Sequence, residues 1–167
     1  MLVPRLSDLV LATVHEGIEE AAAEHGLSTF VTNTRDDPAK QRAHTAMMLA
    51  RRVDGLIFGD AHSDGRFLTE TAAHGVPFVL VSRHAGDHPS VTCDDCLGGR
   101  LAAEHLLELG HDRFAVIAGE PYASTGQDRT AGFVDRCTQA GIEVPEALIV
   151  HSRFDARGGR EATEQIL

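Results

Sequence analysis

An α/β fold with mostly parallel sheets is predicted by three features of the sequence. Apolar stripes at helical spacing alternate with short apolar runs, glycines follow most of the stripes, and the runs are rich in Val, Ile, Leu and Phe. Along residues 8–25, Leu11, Val14, Ile18, Ala21 and Ala22 recur every three or four positions, which predicts a helix with Gly26 just past its end. Ser28, Thr29, Phe30, Val31 and Thr32 then read as a short strand. Pro38 suits the first turn of the next helix, which runs toward Arg52 with Ala43, Met47, Met48 and Ala50 on its expected buried side. Val53, Leu56, Ile57 and Phe58 make a buried strand.

The alternation continues. A helix over 66–74 is closed by Gly75, and the unbroken run from Val76 to Val81 suits a strand covered on both faces. Ser90, Val91 and Thr92 form a short strand. A helix over 97–109 follows, with Leu101, Ala102, His105, Leu106 and Leu109 on one face and Gly110 after it. Phe114 to Ala118 gives a strand, 128–140 a helix ending at Gly141, Leu148 to Val150 a strand, and 158–167 the start of a last helix. Strands and helices in this order imply right-handed crossovers with helices on both sides of the sheet. Ligands of such folds meet the loops beyond the carboxyl ends of the strands, here 6–8, 33–37, 59–63, 82–88 and 119–128. Those loops are polar.

Composition narrows the function. The 167 residues are 43% hydrophobic and 24% charged, and a chain of this length hides roughly two thirds of its unfolded surface without disulfides or metals. A net charge of -10 argues against a phosphate-gripping surface on this segment. No membrane-length apolar stretch and no secretory signal is present, so the cytoplasm is the expected compartment. Cys93, Cys96 and Cys137 make no disulfide framework. Cys93-Asp94-Asp95-Cys96 has the spacing of a redox pair or half a zinc site, but no second cysteine pair completes four ligands, and two ordinary thiols are the expected reading. His-Glu-x-x-His, Gly-x-Ser-x-Gly, the dinucleotide-binding glycine fingerprint and the phosphate-binding loop are all absent. No enzyme activity, cofactor or metal is expected.

Several segments occur in a telling order: Val3-Pro4-Arg5-Leu6-Ser7-Asp8, Gly17-Ile18-Glu19-Glu20, Arg51-Arg52-Val53-Asp54-Gly55, Gly75-Val76-Pro77, Arg83, Asp94-Asp95 with Gly99, Glu108-Leu109-Gly110-His111, and Asp128-Arg129 with Gly132-Phe133. In that order they resemble the effector-binding portion of the LacI/GalR family of bacterial transcription regulators, relatives of periplasmic sugar-binding proteins. The resemblance implies a two-lobed module with a ligand cleft between parallel-sheet lobes, a homodimer, and operator DNA bound through an N-terminal head that this chain lacks. It places the first lobe at 1–104 and a partial second lobe at 105–167, whose sheet edge is expected to need a cover. The implied function is sensing of a small polar effector, such as a sugar or a nucleoside-like compound. Alternatives are a periplasmic-type solute-binding protein for a sugar and a small-molecule enzyme of the α/β class.

Arg129 matches the family arginine that contacts effectors, and its guanidinium is a rigid fork of donors for hydroxyls or a carboxylate. Asp128 either orients it or caps its helix, and Gln127 is a neutral donor and acceptor where the family often has a polar or basic contact. Ser7 and Asp8 are ligand contacts or the N-cap of the first helix. The family usually carries two aromatic residues where Val10 and Leu11 stand, which removes an expected stacking platform. Ser82 stands where the family commonly has an aspartate, leaving Arg83 as a ligand contact or a structural group. Asp60 is a candidate contact after its strand, with plain loop solvation as the alternative. Asp95 could meet the ligand from the first lobe or cap its helix.

Overall fold

The computed structural model describes residues 1–167, which form two compact units, Met1–Val91 and Thr92–Leu167. The first contains β1 (Leu2–Val3), α1 (Leu9–Glu24), β2 (Thr32–Asn33), α2 (Pro38–Ala50), β3 (Leu56–Phe58), α3 (Arg66–Ala72), β4 (Phe78–Val81) and β5 (Ser90–Val91). Its five strands are all parallel, in the order β2-β1-β3-β4-β5. The pleat sorts their side chains, because successive residues of a strand point to opposite faces. Leu2, Leu56, Phe58 and Leu80 join Met48 of α2 and Leu68 of α3 in one core. Val3, Ile57 and Val81 join Leu11, Val14 and Ile18 of α1 in another. Helices therefore cover both faces. Phe58 is fully buried and meets Phe67 and Phe78 edge-on, at centroid distances of 5.9 and 5.6 Å.

Two local expectations differ from the fold. The strand expected over 28–32 is only Thr32–Asn33, because β2 is an edge strand whose sole neighbour, β1, offers Leu2 and Val3 as partners. Phe30 consequently stays exposed. On α2 the buried residues are Gln41, Thr45 and Met48 rather than Ala43, Met47 and Ala50. This face is partly polar because it packs on the polar ends of the strands, where the Gln41 amide donates to the Asp60 carbonyl at 3.0 Å.

The second unit contains α4 (Asp95–Glu108), β6 (Val116–Ala118), α5 (Ser124–Gln139), a 3-10 turn (Glu146–Leu148), β7 (Ile149–His151) and α6 (Ala156–Ile166). Strands β6 and β7 pair in parallel, joined by the α5 crossover. Ala103, Phe114, Cys137 and Val144 form the core, and Phe114 stacks edge-on against Phe133 at 5.6 Å. Position 104, the expected lobe boundary, falls inside α4, which packs along α5 and so belongs whole to the second unit.

The face of α4 turned inward carries Asp95, Gly99 and Ala103, whereas Leu101 and Leu109 are exposed. Backbone approach explains the difference. A Cβ on Gly99 would lie 1.9 Å from the Arg129 carbonyl oxygen, and one on Gly132 would lie 2.0 Å from that of Cys96. The two helices thus touch backbone to backbone through their glycines. Helix α5 also starts at Ser124, a turn earlier than the apolar pattern predicts, with Ala123 as an N-cap that has no side-chain hydrogen bond. No helix is long and apolar enough to cross a membrane.

Candidate functional site

In the first unit the chain steps from β1 to β2 on one side and then back across β1 to β3, so the connections reverse direction between β1 and β3. Open α/β sheets bind ligands at such a point, beyond the carboxyl ends of the strands. Three loops meet there through polar groups. Arg83, after β4, reaches the loop after β2 and grips Asp36 with both terminal nitrogens, at 2.8 and 3.1 Å. The same guanidinium donates to the Ala61 carbonyl after β3, at 3.4 Å. The pair is largely hidden from solvent, with 6% of the Arg83 side chain and 14% of Asp36 exposed. Asp36 and its neighbour Arg35 are both left-handed, with φ of 54° and 59°, a conformation that costs a residue with a side chain. The loop spends that strain aiming the Asp36 carboxylate at Arg83.

Asp60 lies beside this pair with 1% of its surface exposed. The Thr34 hydroxyl is 2.6 Å from its Oδ2 and 3.2 Å from the Val3 carbonyl, while its Oδ1 has no partner. Burial pushes the Asp60 carboxyl above the usual carboxylate range; the Thr34 hydroxyl and the nearby Gln41 amide oppose the shift, Asp36 adds to it, and Arg83 opposes it. Ser7 is exposed in the turn after β1. Asp8 is the N-cap of α1, its Oδ1 accepting from the Val10 and Leu11 amides at 3.0 and 3.4 Å. Asp8→Ala is expected to cost about 1 kcal/mol in urea unfolding, the ordinary value of such a cap. Ser82 is left-handed, with φ of 67°, and donates its amide to the Val91 carbonyl at 2.9 Å.

In the second unit Arg129 and Asp95 come together. Arg129 Nε donates to Asp95 Oδ1 at 2.6 Å; Asp95 is buried, whereas 58% of the Arg129 side chain is exposed. The carboxylate thus anchors the inner nitrogen and leaves the outer end of the guanidinium toward solvent. Asp94, not Asp95, is the N-cap of α4, accepting from the Leu97 amide at 2.8 Å. Gln127 donates to the Pro121 carbonyl at 2.6 Å and so braces the loop before α5. Asp128 lies within α5, not at its cap, because the helix begins at Ser124. Cys93 and Cys96 are exposed, and burial pushes the Cys137 thiol up.

Residues outside the expected set also stand at these edges. Thr34, Asp36 and Gln41 complete the network of the first unit; two of them lie in the expected ligand loop 33–37, where nothing in the chain order reveals a pairing with residue 83. Phe154 follows β7, 48% exposed, its ring lying so close over Gly119 that any Cβ there would overlap it. The carboxyl-end rule, applied to the last strand, points to it. A groove of 850 Å³ at the opposite edge of the first sheet is lined by apolar groups such as Ile18, Phe30, Met48 and Phe78. It holds none of the expected ligand residues.

All of residues 1–167 match the family described as periplasmic binding proteins and sugar binding domain of LacI family. The chain belongs to this family. Among LacI-type relatives, it is 31% identical to the HTH-type transcriptional regulator DegA of Bacillus subtilis (strain 168), over 100% of this chain and 51% of that protein. It is 34% identical to the HTH-type transcriptional repressor PurR of Klebsiella pneumoniae (strain 342), over 93% of this chain and 47% of that protein. A solved complex of the transcriptional regulator CelR with cellobiose superposes with a TM-score of 0.86 at 26% identity, covering 99% of this chain and 53% of that one. The chain thus spans about half the length of these relatives, which are transcription regulators rather than enzymes or solute-binding proteins.

Against the LacI-family pattern, the departures acquire a structural sense. Where an aspartate commonly precedes Arg83 there is Ser82, and Arg83 itself pairs with Asp36 of the loop after β2. At the two usually aromatic positions, Val10 is exposed and Leu11 is packed into the core.

Proposed function

We propose that this chain is the effector-sensing part of a cytoplasmic, homodimeric LacI-family transcription regulator, and that its effector is a small polar molecule rich in hydroxyl groups. The observation that carries the reading is Arg129, anchored at Nε by buried Asp95 and open at its outer end. A guanidinium held on one side and hydrated on the other is prepared to donate paired hydrogen bonds to hydroxyls, a carboxylate or a phosphate. Phe154, half exposed beside Gly119, offers a flat apolar surface at the same edge of the second unit. In the first unit, Ser7, Asp8, Asp60, Ser82 and Arg83 stand at or beneath the carboxyl edge; Asp60 and Arg83 brace the loops, and the exposed Ser7 is the direct contact. Asp128 and Gln127 support the Arg129 turn.

The CelR complex holds cellobiose, and the family description includes a sugar-binding domain, so a sugar or sugar-like compound is the first choice. The net charge of -10 makes these residues poor partners for duplex DNA, so operator binding is assigned to another part of the regulator. Such an effector changes DNA affinity only as far as it binds one conformation better than another; a tenfold preference corresponds to about 1.4 kcal/mol.

A thermal-shift screen of sugars, sugar phosphates and nucleosides identifies the effector, since a ligand of the native state raises the unfolding temperature. Arg129→Ala is then expected to weaken its binding by more than tenfold, as a hydrogen bond to a charged group contributes about 1.5–3 kcal/mol. Calorimetry showing equal affinity for both proteins overturns the assignment.

A further inference from the structure

We propose that Asp60 is present in the folded chain as the carboxylic acid, and that its proton, donated to Thr34, frees the Thr34 hydroxyl for the Val3 carbonyl, which makes the hydrogen-bond chain at the carboxyl edge of the first sheet pH-sensitive. The inference is independent of which effector is bound.

The geometry of donors and acceptors carries it. An ionised carboxylate offers four lone-pair sites and no proton. Asp60 has at most one side-chain hydrogen bond, from Thr34 at 2.6 Å, and its Oδ1 is buried with no partner at all. Gln41, the other polar side chain against it, binds the Asp60 main-chain carbonyl instead. A bare carboxylate so placed would be starved of protein donors at a site where only 1% of the residue is exposed. The acid form uses the same contacts better. Asp60 Oδ2 then donates to Thr34 Oγ1, which is free to donate its own proton to the Val3 carbonyl at 3.2 Å. One chain of hydrogen bonds runs from β3 through β2 to β1, with each proton matched to an acceptor.

The charged groups around Asp60 do not reverse this. Arg83, from the loop after β4, favours the carboxylate, but its fork is already closed on Asp36. Asp36, from the loop after β2, repels a second negative charge. Ionising Asp60 would set two carboxylates against one guanidinium and strip Thr34 of its donor. Thr34 would then turn its only hydroxyl proton to Asp60 Oδ2 and give up the Val3 carbonyl.

The sign follows from linkage. An acid that keeps its proton in the folded state makes folding take up a proton. Stability therefore falls as pH rises from the unfolded value of the carboxyl toward its higher folded value, and the loss is complete above it. Asp60→Asn keeps the shape and a donor for Thr34 but cannot ionise.

The test is carboxyl ¹³C NMR on the wild-type chain labelled at aspartate, together with thermal unfolding of wild type and Asp60→Asn across pH. The expected result is a carboxyl resonance, absent from the variant, that titrates above the ordinary aspartate range. The variant's unfolding temperature should rise relative to wild type as pH increases. A resonance titrating in the ordinary range, or a variant less stable by the same margin at every pH, overturns the proposal. If the variant does not fold, the wild-type resonance, assigned through its own Cβ protons, decides the question alone.

Discussion

Asp36→Ala is expected to destabilise the chain by about 3 kcal/mol, the lower end of the cost of breaking a buried ion pair, because this one keeps a little solvent contact. The substitution leaves the Arg83 guanidinium buried without its carboxylate. Arginine cannot escape by losing its proton, so the charge must either stay buried without that carboxylate or pull the loop after β4 outward toward water. The loop after β3 should loosen too, since Arg83 also holds the Ala61 carbonyl. Urea unfolding reads the effect as a lower midpoint with an unchanged slope. Replacing both partners, as Asp36→Ala with Arg83→Met, should recover most of the loss, because no buried charge then remains. A single variant within 1 kcal/mol of wild type would show that water reaches the pair freely.

Gly99→Ala is expected to cost about 3 kcal/mol, at the upper end of what overpacking usually costs. Its new Cβ would meet the Arg129 carbonyl at 1.9 Å, and a backbone carbonyl cannot rotate away as a side chain can. Helices α4 and α5 must move apart. Asp95 rides on α4 and Arg129 on α5, so their 2.6 Å contact lengthens and effector affinity falls with stability. Gly98→Ala is the control. A Cβ at Gly98 meets nothing within 4 Å, and alanine favours the helix by roughly 1 kcal/mol, so that variant should be neutral or slightly more stable. Equal behaviour of the two variants would mean that the glycine contact does not hold the helices together.

Helix α1 was legible because Leu11, Val14 and Ile18 alternate with charge at a spacing only a helix satisfies, and Gly26 follows it. The buried faces of α2 and α4 were not legible. Gln41 and Thr45 are polar and Gly99 has no side chain, so a pattern that rewards apolar residues passes over them. Their burial follows from what they touch: the Asp60 carbonyl for Gln41 and the α5 backbone for Gly99. Strand β2 is shorter than its β-rich sequence predicts for a related reason, since its length depends on what β1 can pair with.

For the candidate site, Asp60 stood out by its place after a strand, and Arg83, Asp95 and Arg129 by their match to positions of the family pattern. Their partners were hidden. Arg83 pairs with a residue 47 positions away and Arg129 with one 34 away, and no local spacing predicts which of several aspartates will stand opposite.

The order of the residues determined the α/β class, the helices and the family, because periodicity, capping and turn chemistry act between neighbours along the chain. The tertiary structure alone decided which charges are paired, which carboxyl is cut off from water and which glycines let two backbones meet. Those outcomes depend on distances and solvent access, quantities that arise only when segments remote in sequence pack together.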